Sequence, residues 1–336
     1  MQSLADAVDA VAAETGFAGV VWVDRDGDAE FARAYGLAHR AHRVPNTVDT
    51  RFATASGSKT MTALVVVSLI EQGVLSLSTT ARSVLATDLP LIDPGVTVEH
   101  LLAHRSGIGD YLDEEDGDWG ENDYVLTRPI HEYTTTEHFL TDLDGHPTKF
   151  PPGQRFSYCN GGYMVLALIA ERAAGTPFHD LVRDHVCAPA GLVDTDYLRS
   201  DELPDRTAYG YLSIDGVSRT NVFHLPILGN GDGGIYTTAA DVSTFWRAFY
   251  DARIVPTAWV AEMVRPRSNV PEESMRFGLG FWLHPSTETA ILLGGDAGVS
   301  FRSAHDPTTR LTQTVISNTS HGAWPIIRSL DELLRT

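Results

Sequence analysis

The sequence predicts an α+β fold, in which one antiparallel sheet built from both chain ends is flanked by helices and a mainly helical segment is inserted between them. Short stretches of alternating apolar and polar residues, rich in β-branched side chains, stand near both ends of the chain. Segments with helical apolar spacing border them and dominate the middle. At 336 residues and without an internal repeat, the chain is long enough to form one functional unit with a large core.

The first part of the α/β lobe is predicted over residues 1–80. A helix from Ser3 to Glu14 is followed by strands around Gly19–Val23 and Glu30–Gly36. Between the two strands, Asp24-Arg25-Asp26-Gly27 favours a hairpin turn, because aspartate and glycine adopt the backbone angles that such turns need. The N-terminal end of the chain therefore supplies the first hairpin of the sheet.

The rest of this lobe is predicted over residues 235–336, and residues 81–234 form the inserted, mainly helical lobe. Four strands and a closing helix are predicted near Phe277–Leu283, Ala290–Leu293, Ser300–His305, Leu311–Ser317 and Trp324–Leu334. A chain divided in this way places a cleft between two lobes, where ligand sites tend to lie.

The most informative motif is Ser56-Gly57-Ser58-Lys59, where a short apolar segment runs into a helical pattern. Residues three apart on a helix share a face, so the Ser56 hydroxyl and the Lys59 amine are expected to touch. A serine hydroxyl becomes a good nucleophile when a base removes its proton, and a desolvated lysine can be that base. The alternative is a capping serine followed by a solvent-facing lysine. The chain has only two lysines, Lys59 and Lys149, which favours a specific role for the first.

A second block, Phe150–Asn160, places Tyr158 and Asn160 just after a Pro-Pro-Gly turn and before an apolar helix over Tyr163–Ala174. Both side chains are expected to face one cleft. A tyrosine near a lysine ammonium loses its proton more easily and can act as a general base or proton shuttle. An asparagine can hold a substrate amide or the lysine. Taken alone, Tyr158 is better explained as a half-buried turn residue with a satisfied hydroxyl.

Five segments in this order resemble the penicillin-recognising serine hydrolases, in the branch that contains class C β-lactamases, DD-peptidases, family VIII esterases and D-amino-acid amidases. The segments are Thr47–Phe52, Ser56–Lys59, Val96–Ile108, Pro152–Asn160 and Gly231–Asp241. The resemblance covers almost the whole chain, and motif plus context makes it specific. It implies the two-lobe fold of β-lactamases and transpeptidases.

The resemblance also implies roles for individual residues. Ser56 would be the acylated nucleophile, Lys59 its base or proton carrier, and Tyr158 the second proton-transfer residue. Asn160 would position the substrate and Lys59. The N–H groups of Ser56 and Gly295 would form the oxyanion hole. Which of Lys59 and Tyr158 takes the serine proton stays open at this point.

The sequence departs from the family at its third motif. Relatives carry Lys-Thr-Gly or His-Thr-Gly on a strand lining the cleft, with another glycine four positions later. Matching these glycines to Gly294 and Gly298 places Leu292 at the cation and Leu293 at the threonine. One explanation is that this alignment of the third motif is shifted along the strand. The other is that the substrate is not anchored there by a carboxylate and contacts Leu292, Leu293 and Gly294 instead. Arg302, on the next strand, is the first alternative cation.

Composition excludes several classes of function. The formal charge of −19 argues against nucleic acid and anionic membranes as partners. The resemblance implies a small-molecule ester or amide substrate. The acidic run Asp113–Asp118 does not fit an EF-hand, so a solvated loop is preferred over a calcium site. His100 and His104 lack the glutamate of a His-Glu-x-x-His zinc motif. No metal and no cofactor are expected.

The segment Met1–Asp6 has neither the basic nor the apolar stretch of a secretory signal. This predicts a cytoplasmic protein, or an exported one if a leader has been removed. Cys159 and Cys187 do not indicate a disulfide framework, and Cys159 is expected to pack beside Tyr158.

Together these features predict a serine hydrolase that works through an acyl-enzyme on Ser56, with ester hydrolysis favoured. A DD-carboxypeptidase, a β-lactamase or a D-amino-acid amidase is the alternative within enzymes. From another class, the chain would be a sensor that stays acylated by penicillins, or a non-catalytic binding protein. The intact set of Ser56, Lys59 and Tyr158 argues against the non-catalytic form.

Overall fold

The computed structural model describes residues 3–115 and 125–334. The strands in these ranges are β1 (Gly19–Arg25), β2 (Asp28–Tyr35), β3 (Leu37–His39), β4 (Val44–Pro45), β5 (Phe52–Ala53), β6 (Tyr211–Ile214), β7 (Val217–Thr220), β8 (Tyr236–Thr237), β9 (Ser268–Val270), β10 (Met275–Phe277), β11 (Trp282–Leu283), β12 (Ala290–Asp296), β13 (Val299–Asp306) and β14 (Leu311–Ser317). The predicted sheet is present: β2-β1-β14-β13-β12-β11-β10-β9 form one antiparallel sheet from both chain ends.

The helices surround this sheet and fill the middle of the chain. They are α1 (Leu4–Thr15), α2 (Lys59–Glu71), α3 (Ala81–Leu85), α4 (Val98–Leu102), α5 (Leu140–Leu143), α6 (Asn160–Ala174), α7 (Phe178–Val182), α8 (Ala188–Ala190), α9 (Ala239–Tyr250), α10 (Thr257–Met263) and α11 (Ala323–Leu334). Helices α1 and α11 pack together against one face of the sheet, and α9 packs against the other. The structure therefore has the predicted α+β class.

Some predicted elements differ in extent. The strand predicted over Phe277–Leu283 is two short strands, β10 and β11, because the chain turns at Gly280 with a φ of 85°. The edge strand β9 was not predicted. Helix α6 begins at Asn160, three residues before its apolar run, because Asp110 accepts hydrogen bonds from its first N–H groups. The lobe boundaries at 80/81 and 234/235 stay a prediction.

Helices α2 and α6 pack against each other in the largest hydrophobic cluster. Ten of the 13 residues of α2 are buried, so the lysine at its first position is drawn into the interior with them. Thr62 anchors α2 to the distant loop that contains Gly231, since its hydroxyl donates to the Gly231 carbonyl at 2.6 Å. The fold thus brings the starts of α2 and α6 and the loop after Gly231 together at one end of the cluster.

Candidate active site

Ser56 lies in a 3₁₀ turn, Ala55–Ser58, that leads directly into α2. The turn is held in place because the Thr54 N–H donates to the Ile235 carbonyl at 3.0 Å. Ala55 has a φ of 47°, a left-handed conformation that is strained for a residue with a side chain. Such strain is typical of functional turns. Ser56 itself is half-buried, with its side chain at the surface of a cleft.

Lys59 is buried and has three hydrogen-bond acceptors around its amine. Its Nζ lies 2.7 Å from Ser56 Oγ and 2.8 Å from Asn160 Oδ1. The third acceptor is the backbone carbonyl of Asp232, at 2.6 Å. The predicted contact between Ser56 and Lys59 is therefore present, and the alternative of a solvent-facing lysine is not what the structure shows.

The charge state of Lys59 is set by two opposing effects. Burial lowers its pKa from the ordinary value, because a charged amine loses hydration in the interior. The carboxylates of Asp232, Glu114, Asp110 and Asp296 act in the opposite direction. Burial is the larger effect, so Lys59 loses its proton more easily than an exposed lysine and is suited to accept one from Ser56.

Tyr158 adjoins both residues of the motif. Its side chain lines the same cavity as Ser56, and the Lys59 amine lies 5.0 Å from its ring centroid. Burial raises the pKa of Tyr158 well above its ordinary value, with the Glu114 charge acting in the same direction. Tyr158 is therefore protonated in this structure. This arrangement favours Lys59 as the acceptor of the serine proton and Tyr158 as a proton donor.

Aromatic side chains fix the ring of Tyr158. Trp282 stacks on it with ring centroids 5.9 Å apart and an interplanar angle of 17°. His104 lies against it at 4.4 Å and accepts a hydrogen bond from the Cys159 N–H at 3.0 Å. Burial holds the pKa of His104 well below its ordinary value, so the ring is neutral. Cys159 is buried, as expected.

Hydrogen bonds hold both the backbone and the side chain of Asn160. Its backbone N–H donates to Asp110 at 2.6 Å, and its Oδ1 accepts from Lys59. Its side-chain Nδ2 donates to the Glu114 carboxylate at 2.9 Å. Nδ2 also donates to the Leu112 carbonyl at 3.0 Å, so both amide hydrogens are used and Oδ1 is directed at Lys59. Glu114 shows that the start of the acidic run reaches the cleft, and Asp116–Asp118 lie outside the described residues.

Strand β12 lies edge-on to the turn that carries Ser56. A Cβ atom on Gly294 would lie 2.1 Å from the Thr54 carbonyl oxygen and 3.0 Å from the Ser56 nitrogen. Only glycine fits at this distance. The next residue, Gly295, is exposed in the cleft beside Ser56, where the resemblance places the second N–H group of the oxyanion hole.

We expect Gly294→Ala to destabilise the protein by about 1–3 kcal/mol or more, the range for overpacking a close contact. The added methyl group would push the Ser56 turn away from β12. Gly295→Ala is the matched control, because its Cβ would meet only Trp324 at 3.4 Å, an ordinary contact. Thermal unfolding of both variants measures the effect, and equal melting temperatures would contradict the close approach.

Leu292 and Leu293, where the chain differs from the third motif of the family, lie on opposite faces of β12, because neighbouring side chains of a strand point to opposite sides. Leu292 is buried in the largest hydrophobic cluster, with Trp246. Leu293 packs with Tyr158 on the other face and lines the cleft. Direct contact with a substrate in the open cleft therefore falls to Leu293. Arg302 pairs with Asp331 of α11 at 2.6 Å and lines neither of the cavities next to Ser56.

Two larger cavities meet at Ser56, and a third, of only about 10 Å³, lies between Ser56, Lys59 and Tyr158. The narrow cavity, of about 70 Å³, also contains Asn160, Asp232, Gly295 and Asp296. The wide cavity, of about 650 Å³, is lined by Tyr158, Phe156, Trp282, Leu293 and Trp324, and shares Ser56, Glu114, Gly295 and Asp296 with the narrow one. Together the two larger cavities have room for the acyl group and the leaving group of a substrate attacked by Ser56.

Sequence analysis missed the acidic groups of the site, Asp110, Glu114, Asp232 and Asp296. Glu114, Asp232 and Asp296 lie in segments named above for other reasons, and Asp110 lies just after Val96–Ile108. No local pattern connects the four, since they meet only through the fold. Within the described residues there is no group of three or more histidine, cysteine, aspartate or glutamate side chains arranged to hold a metal ion. His100 instead accepts from the Thr97 N–H at the start of α4.

A fold of this kind with a serine, lysine and tyrosine in contact defines the serine hydrolases of the β-lactamase type. The family model described as Beta-lactamase matches residues 4–331, and the chain belongs to this family. A solved penicillin-binding protein from Bacillus halodurans is 33% identical, with a TM-score of 0.91, and the match covers 97% of this chain and 99% of that one.

Curated relatives carry different activities in their names. Penicillin-binding protein 4* of Bacillus subtilis (strain 168) is 29% identical over 84% of this chain. Esterase EstB of Burkholderia gladioli is 33% identical over 57% of this chain. The chain spans 63% of the length of the first protein and 49% of the second. Among the described residues, no helix combines the length and the apolar character needed to cross a bilayer.

Proposed function

We propose that the protein is an esterase that forms an acyl-enzyme on Ser56. The observation that carries this proposal is the buried Lys59 amine, which lies 2.7 Å from Ser56 Oγ and 5.0 Å from the centroid of the Tyr158 ring. A nucleophile with a base in hydrogen-bond reach and a second proton-transfer group is the arrangement that covalent acyl transfer needs.

In the proposed reaction, Lys59 takes the Ser56 proton as Oγ attacks the ester carbonyl. The N–H groups of Ser56 and Gly295 stabilise the oxyanion, and Tyr158 gives a proton to the departing alcohol oxygen. Lys59 returns a proton to Tyr158. Water then attacks the acyl-enzyme carbonyl, and one of its protons passes through Lys59 to Ser56 Oγ as the acyl–Oγ bond breaks, so that one ester and one water yield one acid and one alcohol.

The side chains that line the wide cavity favour neutral substrates over anionic ones. Leu293 stands where relatives place a hydroxyl, and Glu272, Glu273 and Asp296 line the same space. The cation that lines it, Arg155, is paired with Glu115 at 3.4 Å. A carboxylate-bearing substrate would lose hydration there without gaining a charge-assisted hydrogen bond.

We therefore expect a higher kcat/KM for p-nitrophenyl butyrate than for penicillins or D-alanyl-D-alanine peptides. Leu293→Lys should shift the ratio towards the anionic substrates by about tenfold, because a charge-assisted hydrogen bond becomes possible. Leu293→Met, which keeps the size and adds no charge, is the control. Faster hydrolysis of penicillins by the unmodified protein would contradict the preference for neutral esters.

The pH dependence of kcat/KM tests whether Lys59 is the base. Burial lowers the pKa of Lys59, and the Asp232 carboxylate is the largest charge that opposes this shift. If neutral Lys59 is the base, kcat/KM for a neutral ester rises with pH as Lys59 loses its proton. In Asp232→Asn the opposing charge is gone, so the rise should occur at lower pH. An unchanged or higher transition pH would contradict Lys59 as the base; Asp205→Asn, on the surface, is the control.

Intact-mass spectrometry tests the class of enzyme. A fluorophosphonate should add one phosphonyl group to the unmodified protein and none to Ser56→Ala, while both give the same circular dichroism spectrum. Absence of the adduct in the unmodified protein would contradict a serine hydrolase.

A penicillin-acylated protein is the second candidate, favoured by the match to the solved penicillin-binding protein over almost the full length of both chains. Incubation with benzylpenicillin, followed over time by mass, distinguishes the outcomes. A persistent adduct would indicate a penicillin sensor or penicillin-binding protein, and an adduct that forms and decays would indicate a β-lactamase. The esterase proposal expects neither at rates that compete with ester turnover.

A further inference from the structure

The wide cavity receives the alcohol side of the substrate, a step that rests on the proposed function. Tyr158, the proposed proton donor to the leaving group, lines the wide cavity and not the narrow one. The wide cavity also has the room for a large group, since it measures about 650 Å³ against about 70 Å³. The departing alcohol therefore lies there, and the side chains that line this cavity decide which alcohols fit.

Aromatic rings form the inner part of the wide cavity, beside the nucleophile. Trp282 stacks on Tyr158, and Phe156 meets the Trp282 ring edge-on with the centroids 5.8 Å apart. Trp324 lies beside Gly295, because a Cβ atom on that glycine would meet its ring at 3.4 Å. None of these four aromatic side chains lines the narrow cavity. They would stabilise a flat apolar body next to the ester oxygen, and a cation over a ring face.

The outer part of the wide cavity is acidic. Glu272 and Glu273 line this cavity and not the narrow one. Both are exposed, and they lie in the turn that joins β9 to β10. In the sheet, β10 and β9 are the second and third strands from β12, which corresponds to about 10–14 Å at about 4.8 Å per strand. The two carboxylates therefore lie beyond the rings as seen from Ser56.

No side chain of the described residues forms an ion pair with Glu272 or Glu273. Arg155, which lines the same cavity, is engaged elsewhere: it pairs with Glu115 at 3.4 Å, and its guanidinium lies 4.3 Å from the centroid of the Phe150 ring. A cation on the substrate would offset the charge of the two glutamates. Because this end of the cavity is exposed, such a cation would keep part of its hydration when it binds.

We propose that the wide cavity binds an alcohol group with an aromatic or apolar body next to the ester oxygen and a quaternary or protonated amine at its far end, held by Glu272 and Glu273. The order of the lining, rings first and carboxylates beyond them, sets the order of the substrate groups. The cation therefore belongs to the leaving group, away from the acyl carbon that Ser56 attacks. An ester of a phenol with an ammonium on a short para arm has both parts in this order.

Three phenyl butyrates test this assignment. Each carries a two-carbon arm at the para position, which ends in trimethylammonium, tert-butyl or carboxylate. The first two end groups have the same shape, and the three phenols are similar in acidity because two carbons separate the end group from the ring. At low ionic strength we expect kcat/KM for the trimethylammonium ester to exceed that for the tert-butyl ester by about fivefold or more, with the carboxylate ester slowest. Added sodium chloride should reduce this ratio, because exposed charges are screened by salt.

A double variant locates the preference at the two carboxylates. Glu272→Gln combined with Glu273→Gln keeps the size of both side chains and removes both charges, so it should reduce the ratio of trimethylammonium to tert-butyl ester hydrolysis by about threefold or more. Glu288→Gln combined with Asp205→Asn is the matched control, because it removes the same formal charge from exposed residues that do not line the cavity. This control should leave the ratio as it is, and thermal unfolding checks that both double variants are folded.

Two results would overturn the inference: a tert-butyl ester rate equal to or above the trimethylammonium ester rate in the unmodified protein, or an unchanged ratio in the glutamate double variant. A further ester carries the trimethylammonium at the end of the butyryl chain and tert-butyl on the phenol. Faster hydrolysis of this ester than of the one with the cation on the phenol would place the cation site on the acyl side and also overturn the inference. Hydrolysis of the tert-butyl ester that is lost in Ser56→Ala would still support the esterase proposal, so the two failures are distinguishable.

Discussion

Replacing Ser56 by alanine is expected to reduce hydrolysis of short-chain p-nitrophenyl esters to the background rate. The covalent route through Ser56 Oγ disappears when that atom is removed. The substitution removes a single half-buried oxygen at the cleft surface, so the fold should be retained.

The measurement is the initial rate with p-nitrophenyl butyrate, compared with buffer alone. Ser58→Ala is the matched control, because Ser58 lies in the same turn and its hydroxyl donates to the Ala55 carbonyl at 2.9 Å rather than reaching the cleft. This control should keep most of the activity, apart from any loss caused by weakening the turn. More than a small fraction of activity in pure Ser56→Ala protein would point to a different nucleophile.

The contact between Ser56 and Lys59 could be predicted because it is local. Three residues of spacing at a helix start fix the two side chains on one face, and no information from the rest of the chain is needed. Tyr158 and Asn160 form a second local unit, and only the resemblance indicated that the two units meet. The fold places them together through the packing of α2 against α6.

The acidic half of the site could not be predicted in the same way. Asp232 and Asp296 are separated by more than sixty residues, and each is adjacent to a glycine that the sequence analysis named through the family resemblance. Their shared position depends on the Thr62 and Lys59 bonds to the loop after Gly231 and on the close approach of Gly294 to Thr54. Such long-range placement leaves no periodic signal in the sequence.

Which of Leu292 and Leu293 faces the cleft could also not be predicted from the sequence alone. The motif match assigned Leu292 and Leu293 to neighbouring substrate contacts, whereas strand alternation sends one into the core and the other to the cleft. Alternation itself is predictable, but deciding which face is the interior requires knowing what packs there. Trp246 of α9 lies on the Leu292 face, because its Nε1 donates to Ser303, the residue opposite Leu292 in β13, and this follows only from the tertiary structure.

Lys59 and Tyr158 are expected to act as one proton-transfer unit, which their positions beside the same serine support. Lys59→Ala and Tyr158→Phe should each lower kcat/KM for p-nitrophenyl butyrate by about 10²-fold or more, the scale of losing a general acid or base. The double variant should lose far less than the product of the two single losses, because once either residue is absent the other has no complete path along which to move the proton.

The variants must separate the loss of proton transfer from a packing effect, because Lys59 is buried and its truncation to alanine leaves a cavity beside α2. Lys59→Met keeps most of the side-chain volume and removes the amine, so it should lose activity as Lys59→Ala does while staying closer to the unmodified protein in thermal unfolding. Tyr158→Phe keeps the ring that stacks on Trp282 and removes only the hydroxyl. If the losses multiply in the double variants made with either lysine substitution, the two residues act independently, and the shared proton path through Ser56 is wrong.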